Sequence, residues 1–207
     1  KPFTGVSANG HHHHFTLVDD DGNNVFHDPD GPASLSDTGR HFLGGLLEHF
    51  HALMCVGNPT VNSYVRMWDT GFWAPIYKNW GWQNRTCTVR VASGGRFEYR
   101  GVDSSCNPYL TVATLLNAGL DGLRREIDPG PPQEGNTYDL LQEGVEIEKV
   151  PDNLGDALKE LAKDDIVRSA MPGRLYEVFR HYKQDEWERY LSSVTDWERD
   201  EYLEYLP

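Results

Sequence analysis

The apolar positions between Ser36 and Gly57 recur every three or four residues, which is the spacing of one face of an α-helix. Ser36 or Asp37 can cap the start of this helix, and the run Gly57-Asn58-Pro59 is typical of a helix end. The pattern therefore predicts an amphipathic helix whose apolar stripe consists of Phe42, Leu43, Leu46, Leu47, Phe50, Leu53 and Met54.

Strand signals surround this helix in the first half of the chain. Residues 1–30 predict two short strands around the turn from Asp19 to Asn23, where the dipeptide Asp-Gly is the turn signal. Residues 60–103 are rich in Val, Tyr, Trp and Arg and are interrupted by glycines, which predicts further strands. Residues 1–106 are therefore expected to be mainly strands plus one helix.

The second half of the chain carries helical patterns. Asn107 is a good N-cap, and the helix that it begins is expected to end before Pro129. An irregular loop rich in Pro, Gly and Glu follows, and further helices are expected at residues 154–162 and from Leu175 onward. Residues 107–207 are thus expected to be mainly helical and to pack around the sheet of the first half, which makes the fold class α+β.

Four consecutive histidines, residues 11–14, look like part of a purification tag. Their setting is that of a strand, because apolar residues follow at once. Alternate residues of a strand share a face, so His12, His14 and Thr16 lie on one side and the apolar neighbours on the other. Two imidazoles at this spacing can hold a metal or an anion, although a histidine pair alone is more often structural.

The same alternation gathers charge on two further strands. Arg96, Glu98 and Arg100 share one face of the segment RFEYR, while Thr86 and Arg90 share one face of TCTVRV. Clustered guanidinium groups repel one another unless they bind something, and carboxylate and phosphate are the groups that arginine grips with paired hydrogen bonds. The alternative interpretation is a solvated outer face with ion pairs between strands.

Composition narrows the function classes. The 207 residues suffice for one or two domains with a hydrophobic core, and 32 acidic against 19 basic residues give a formal net charge of −13. That balance argues against nucleic acid or an anionic membrane as a general partner. Three cysteines without paired spacing indicate reduced thiols and a cytoplasmic protein. No apolar run reaches the length needed to span a membrane.

Five motifs, in this order, resemble the glutamine synthetase family: KPFTGVSANGHHHH, NPTVNSYVR, NRTCTVRV, RFEYR and NPYLTVATLLNAGLDGL. The segment NTYDL and the closing helices continue the resemblance, which covers essentially all of residues 1–207. Because the family's chain is longer, the resemblance implies the C-terminal portion of its catalytic domain. It also implies a curved antiparallel sheet that lines the active site, with helices outside it. The implied assembly is a homo-oligomer, a double-ring dodecamer whose sites are shared between subunits.

The resemblance further implies a role for each matching polar residue. His12 and Glu98 would hold a divalent metal, Mg²⁺ or Mn²⁺. Arg85 and Arg90 would be catalytic and would face the phosphate that ATP transfers. The nucleotide would be bound by His14, Thr16 and Arg96 together with Arg85 and Arg90, and the substrates by Ala8, Arg66, Trp73 and Arg100.

The sequence departs from the family at the flap, where glutamine synthetases carry a glutamate that helps to bind and deprotonate ammonium. Trp73 stands at that position, in the segment GFWAP, and offers an apolar, π-rich wall that suits an alkylammonium. The chain thus resembles the γ-glutamylmethylamide synthetases within the family. That implies an ATP-dependent ligase that joins L-glutamate to a small amine through γ-glutamyl phosphate. Two alternatives stay open, a glutamine synthetase that uses ammonia and a non-catalytic relative.

The histidine run makes a first prediction. We expect His12→Ala to abolish metal-dependent phosphate release, because it removes an expected metal ligand. His11→Ala, one residue away on the opposite strand face, serves as the matched control and should retain near wild-type release. Loss of activity in the His11 variant, with full activity in the His12 variant, would contradict the assignment.

Overall fold

The computed structural model describes residues 1–67 and 74–205 of the chain. Within these ranges one sheet has the order β1-β4-β3-β2, so β4 lies between two partners. The fold is mixed α and β, as the sequence predicts. The strands are β1 (His11–Phe15), β2 (Trp80–Trp82), β3 (Val89–Ser93) and β4 (Arg96–Val102).

The central strand β4 pairs antiparallel with both of its neighbours. In these two ladders Glu98 lies opposite His14 of β1 and opposite Arg90 of β3. The pairing of β2 differs from the antiparallel expectation, since β2 runs parallel to β3. The chain returns to the start of β2 through residues 83–88, beginning at Gln83, which has a positive φ of 52°. Sequence alternation cannot show this return, because it is a property of the connecting loop.

The turn at Asp19 forms as predicted. Its carboxylate accepts hydrogen bonds from the backbone N–H groups of Asp21 and Asn23 at 3.0 and 2.8 Å. The second strand expected after this turn does not form. The segments before and after the turn are joined instead by an isolated β-bridge between Val18 and Asn24. Asn24 turns the chain away from a strand path, since its side-chain oxygen accepts from the backbone two residues ahead.

Residues 37–67 contain the helices α1 (Asp37–Glu48), α2 (Phe50–Gly57) and α3 (Val61–Met67). The expectation that residues 1–106 form mainly strands plus one helix is therefore wrong. The apolar stripe continues across the break at His49, which is why periodicity alone shows a single helix. The third helix replaces an expected strand, because Thr60 and Ser63 exchange side-chain-to-backbone hydrogen bonds that cap its first turn.

The second half of the chain is mainly helical, and a short helix at Thr137–Gln142 lies where the sequence predicts an irregular loop. Asn107 caps its first helix by accepting from the backbone N–H groups of Tyr109 and Leu110. In the two described ranges, no helix combines the length and the apolar character that crossing a membrane requires. The helices are α4 (Pro108–Arg125), α5 (Thr137–Gln142), α6 (Leu154–Lys163), α7 (Asp165–Ser169), α8 (Leu175–Leu191) and α9 (Asp196–Tyr202).

The core lies between the apolar face of the sheet and the helices α1 and α4. Phe97 of β4 contacts Phe26, with ring centroids 4.8 Å apart, and stacks on Phe42 of α1 at 6.2 Å. Helices α1 and α4 approach each other closely at Gly45 and Gly122. A Cβ on Gly45 would lie 2.1 Å from a backbone oxygen of α4, so only glycine permits this contact.

His49, between α1 and α2, joins three separate segments of the helical layer. Its Nδ1 lies 2.7 Å from a carboxylate oxygen of Asp164 and its Nε2 lies 3.0 Å from one of Asp121, which also accepts from Arg125 at 2.8 Å. Both ring nitrogens face acceptors, so the doubly protonated imidazolium fits this place. Burial alone would lower the pKa of His49, but the hydrogen bonds to Asp164 and Asp121 raise it above its ordinary value.

The contacts of His49 with Asp164 and Asp121, called the His49 clamp below, lead to a prediction about the pH dependence of stability. The raised pKa of His49 gives a stability contribution that is complete below its ordinary pKa of 6.5 and is lost as pH rises through the folded-state value. The lowered pKa of Asp164 gives a contribution that is present above its ordinary value of 3.8 and is lost as pH falls. His49→Gln should therefore cost about 2 kcal/mol of unfolding free energy between these two values, and less in alkaline solution.

Thermal unfolding of wild type and His49→Gln across this pH range measures the effect. His41→Gln, in the same helix α1, is the control and should show no such pH-dependent difference. A stability gap between wild type and His49→Gln that widens as pH rises would contradict the clamp.

Candidate active site

The polar face of the sheet carries one buried carboxylate surrounded by cationic and imidazole groups. Glu98, 4% exposed, accepts a hydrogen bond from Arg90 Nη1 at Oε2 over 2.8 Å and one from Arg100 Nη1 at Oε1 over 3.0 Å. His12 Nδ1 lies 2.7 Å from Oε1 of the same carboxylate. Four residues that the sequence places on polar strand faces are thus brought together.

The protonation states of this cluster follow from burial and charge. Burial alone would raise the pKa of Glu98, but the hydrogen bond from Arg90 and the charges of Arg100 and His12 lower it below its ordinary value. The pKa of His12 is lowered, chiefly by burial and then by the charge of Arg100, against the opposing effect of Glu98. The cluster at neutral pH therefore consists of an ionised carboxylate, a neutral imidazole and two guanidinium groups.

The alternation predicted for the histidine run is confirmed. His12 and His14 are exposed on the face of Glu98, whereas His11 and His13 are partly buried on the other face. The rings of His11 and His13 have their centroids 4.7 Å apart, and His13 also contacts Phe15. The run is therefore a strand of the sheet, and its two odd members pack toward the apolar side.

Arg66 belongs to a second polar cluster, which fixes the segment just before β1. Its Nη1 donates to the backbone oxygen of Asn9 over 3.2 Å, and its Nη2 donates to Asn58 Oδ1 over 2.8 Å. Asp103 lies 3.6 Å from its Nε. Ser104 donates its backbone N–H to Asn9 Oδ1 over 2.9 Å. Arg66 is thus 4% exposed and holds the segment 7–10, which contains Ala8, against the fold.

The remaining predicted residues lie around these clusters. Thr16 follows β1 and is exposed, and Arg96 is exposed at the start of β4. Arg85 lines a cleft of about 710 Å³ with Trp82 and the loop 132–136. Its charge is close enough to contribute to the lowered pKa of Arg100, after burial and against the opposing effect of Glu98. Trp73 lies outside the described residues.

Three residues of these clusters escape the sequence argument. The helical pattern assigns Asn58 only to a helix end, yet its side chain accepts from Arg66 and donates to the backbone oxygen of Gly101 in β4 over 2.7 Å. Asp103 and Gln83 lie in loops without periodicity, and Gln83 accepts a hydrogen bond from Arg90. Asp103 and Gln83 can be found only from contacts between distant segments, whereas the motif NPTVNSYVR carries Asn58 together with Arg66.

His12 and Glu98 fit part of a site for Mg²⁺ or Mn²⁺. Their carboxylate oxygen and imidazole nitrogen lie 2.7 Å apart, and both ligand types suit a divalent cation. Residues 1–67 and 74–205 contain no group of three or more His, Cys, Asp or Glu residues that could hold a metal. Such cations take roughly six ligands, so these two residues supply a part of the set.

Comparison with known proteins identifies similar chains and folds. The family described as "Glutamine synthetase, catalytic domain" matches residues 1–202. The glutamine synthetase of Thermococcus kodakarensis is 43% identical over 222 residues, which cover 98% of this chain and 49% of that protein. The glutamine synthetase of Halobacterium salinarum is 41% identical over 211 residues, which cover 99% of this chain and 46% of that protein. The chain thus spans about half the length of these curated relatives.

Solved structures give the same comparison in three dimensions. A structure described as "GmaS/ADP complex-Conformation 1" superposes with a TM-score of 0.92 at 39% identity and covers 99% of this chain and 48% of that chain. A second, "Apo GmaS without ligand", gives a TM-score of 0.89 at 39% identity and covers 98% and 47%.

The Glu98 cluster makes a prediction about stability. Glu98→Gln keeps the shape of the side chain but removes its charge, so Arg90 and Arg100 lose their shared counterion. We expect a loss of roughly 3 kcal/mol in unfolding free energy, since breaking a buried ion pair leaves charge uncompensated. Thermal unfolding without added metal measures it, and Glu146→Gln, in an exposed loop, is the control. An unchanged melting temperature for Glu98→Gln would contradict this account.

Proposed function

Because this chain belongs to the glutamine synthetase family, we propose that it forms the C-terminal portion of the catalytic domain of an ATP-dependent ligase. The ligase joins the γ-carboxyl group of L-glutamate to ammonia or a small primary amine. The observation that carries the proposal is the buried Glu98 carboxylate, shared by His12, Arg90 and Arg100 on one sheet face.

The reaction has two balanced steps. A γ-carboxylate oxygen of glutamate attacks the terminal phosphorus of ATP, the bond from that phosphorus to the bridging oxygen breaks, and ADP leaves. The amine nitrogen then attacks the acyl carbon of γ-glutamyl phosphate. The carbon–oxygen bond to phosphate breaks, inorganic phosphate leaves with the electron pair, and the nitrogen loses a proton. Both steps gather negative charge, which positive groups stabilise.

Each predicted residue takes one part in this scheme. Arg85 and Arg90 face the transferred phosphate, while Arg66 and Arg100, with the segment around Ala8, hold glutamate. Bound at His12 and Glu98, Mg²⁺ or Mn²⁺ would neutralise phosphate charge. The exposed positions of His14, Thr16 and Arg96 on this side of the sheet suit contact with the nucleotide.

The proposal has two forms, which differ in whether the amine substrate is an alkylamine or ammonia. Trp73 in place of the family's flap glutamate supports an alkylamine such as methylamine, and the GmaS structures, which are of a γ-glutamylmethylamide synthetase, support the same choice. The curated relatives carry the name glutamine synthetase, which supports ammonia. We favour the alkylamine, because tryptophan has no ionised group with which to bind or deprotonate ammonium. A non-catalytic relative is disfavoured, since such a protein has no need of a buried charged cluster.

We further propose that the protein is a cytoplasmic homo-oligomer, a double-ring dodecamer with sites shared between subunits. Helices α8 and α9 contain no buried residue, and Tyr182 and Trp197 on them are 68% and 62% exposed. Exposed aromatic side chains at this level are typical of a surface that another chain covers. The buried, unbridged Cys55, Cys87 and Cys106 support a reducing compartment.

The amine substrate is tested by phosphate release from the complete enzyme with glutamate, ATP and either ammonium or methylamine. We expect kcat/KM for methylamine to exceed that for ammonium by at least roughly tenfold, a difference of about 1.4 kcal/mol in transition-state binding. Trp73→Glu, which restores the ionisable group, should shift the ratio toward ammonium. A wild-type enzyme that prefers ammonium would sink the alkylamine form of the proposal.

A further inference from the structure

The carboxylate expected to bind a metal already contacts three other polar side chains. Oε1 of Glu98 contacts His12 Nδ1 at 2.7 Å and Arg100 Nη1 at 3.0 Å, and Oε2 accepts from Arg90 Nη1 at 2.8 Å. The side chain of Glu98 is 5% exposed, so little solvent competes for it. A guanidinium group on each oxygen thus provides the positive charge that a divalent cation would otherwise supply.

A divalent cation and these guanidinium groups oppose each other at one carboxylate. The cation needs a lone pair of Glu98, and a positive charge within a few ångströms lowers cation affinity by direct repulsion. The competition is reciprocal: if a guanidinium group weakens cation binding at Glu98, then cation binding weakens the ion pair between that guanidinium group and Glu98 by the same factor.

Arg90 is the guanidinium group that can yield. Its side chain is 23% exposed, whereas that of Arg100 is 5% exposed. The buried Nε of Arg90 has no hydrogen-bond partner within residues 1–67 and 74–205, so its present position leaves a donor unused. Arg90 Nη2 also donates to Gln83 Oε1, but Gln83 is exposed, so water can replace this bond when the guanidinium group moves.

We propose that Arg90 is an internal competitor of the divalent cation for Glu98, and that cation binding releases the Arg90 guanidinium group toward the transferred phosphate. The inference rests on the proposed function for the metal and the phosphate. Before Arg90 contacts the phosphate, it therefore acts on the cation only indirectly, through Glu98. The arrangement makes the phosphate-facing form of Arg90 available chiefly when the cation is in place.

The test is a Mn²⁺ titration of the complete protein, followed by electron paramagnetic resonance, without ATP, glutamate or amine. Arg90→Gln removes the competing charge and should tighten Mn²⁺ binding roughly tenfold. Arg90→Lys retains the charge and should stay near the wild-type affinity. Arg124→Gln, an exposed arginine on α4 outside the candidate site, is the matched control and should leave the affinity unchanged.

Thermal unfolding provides a second readout, in which Arg90→Gln should act in opposite directions on the melting temperature of the metal-free protein and on the rise that Mn²⁺ causes. Arg90→Gln should lower the melting temperature of the metal-free protein, because Glu98 loses a partner, and should enlarge the rise that Mn²⁺ causes. Arg90→Met repeats both measurements should the glutamine variant fail to fold.

The outcomes separate this inference from the proposed function. Saturable Mn²⁺ binding that both neutral variants leave unchanged or weaken would overturn the competition alone. Wild-type protein that binds no Mn²⁺ saturably would overturn the metal assignment and the inference together. Tighter binding in the neutral variants supports the competition, whichever amine the enzyme uses.

Discussion

The fold around the candidate site depends on the neutralisation of one buried carboxylate, that of Glu98. Glu98 lies on the central strand β4, so its neighbours on both sides are backbone-paired strands rather than solvent. A charge in such a place is tolerated only with close partners. The strand order supplies them: β1 brings His12, β3 brings Arg90, and β4 itself brings Arg100. The polar face is therefore a consequence of topology as much as of composition.

The two faces of β4 pack against different environments, one apolar and one charged. Phe97 and Tyr99 are fully buried in the aromatic core, while Glu98 and Arg100, one residue away in each case, are buried among charges. A shift of one residue in the register would place charge in the core and aromatic rings in the polar cluster. The hydrophobic core and the candidate site thus hold each other in register.

Much of this arrangement could be predicted from alternation. The period of two found the polar rows of His12, Glu98, Arg90 and Arg100, because strand geometry alone decides which side chains share a face. Periodicity failed where long-range contacts decide the outcome. The break at His49 is held by carboxylates from distant segments, and Asn58 links Arg66 to β4 across the fold. The parallel return of β2 depends on a loop conformation that residue types do not reveal.

The contact between α1 and α4 at Gly45 and Gly122 has a mechanical consequence. With no side chain between the two backbones, neither helix can slide or rotate against the other without a steric clash. Five residues separate the end of β4 at Val102 from the start of α4 at Pro108. The two helices therefore form one rigid unit, which packs against the strand that carries Glu98 through Phe42 and Phe97.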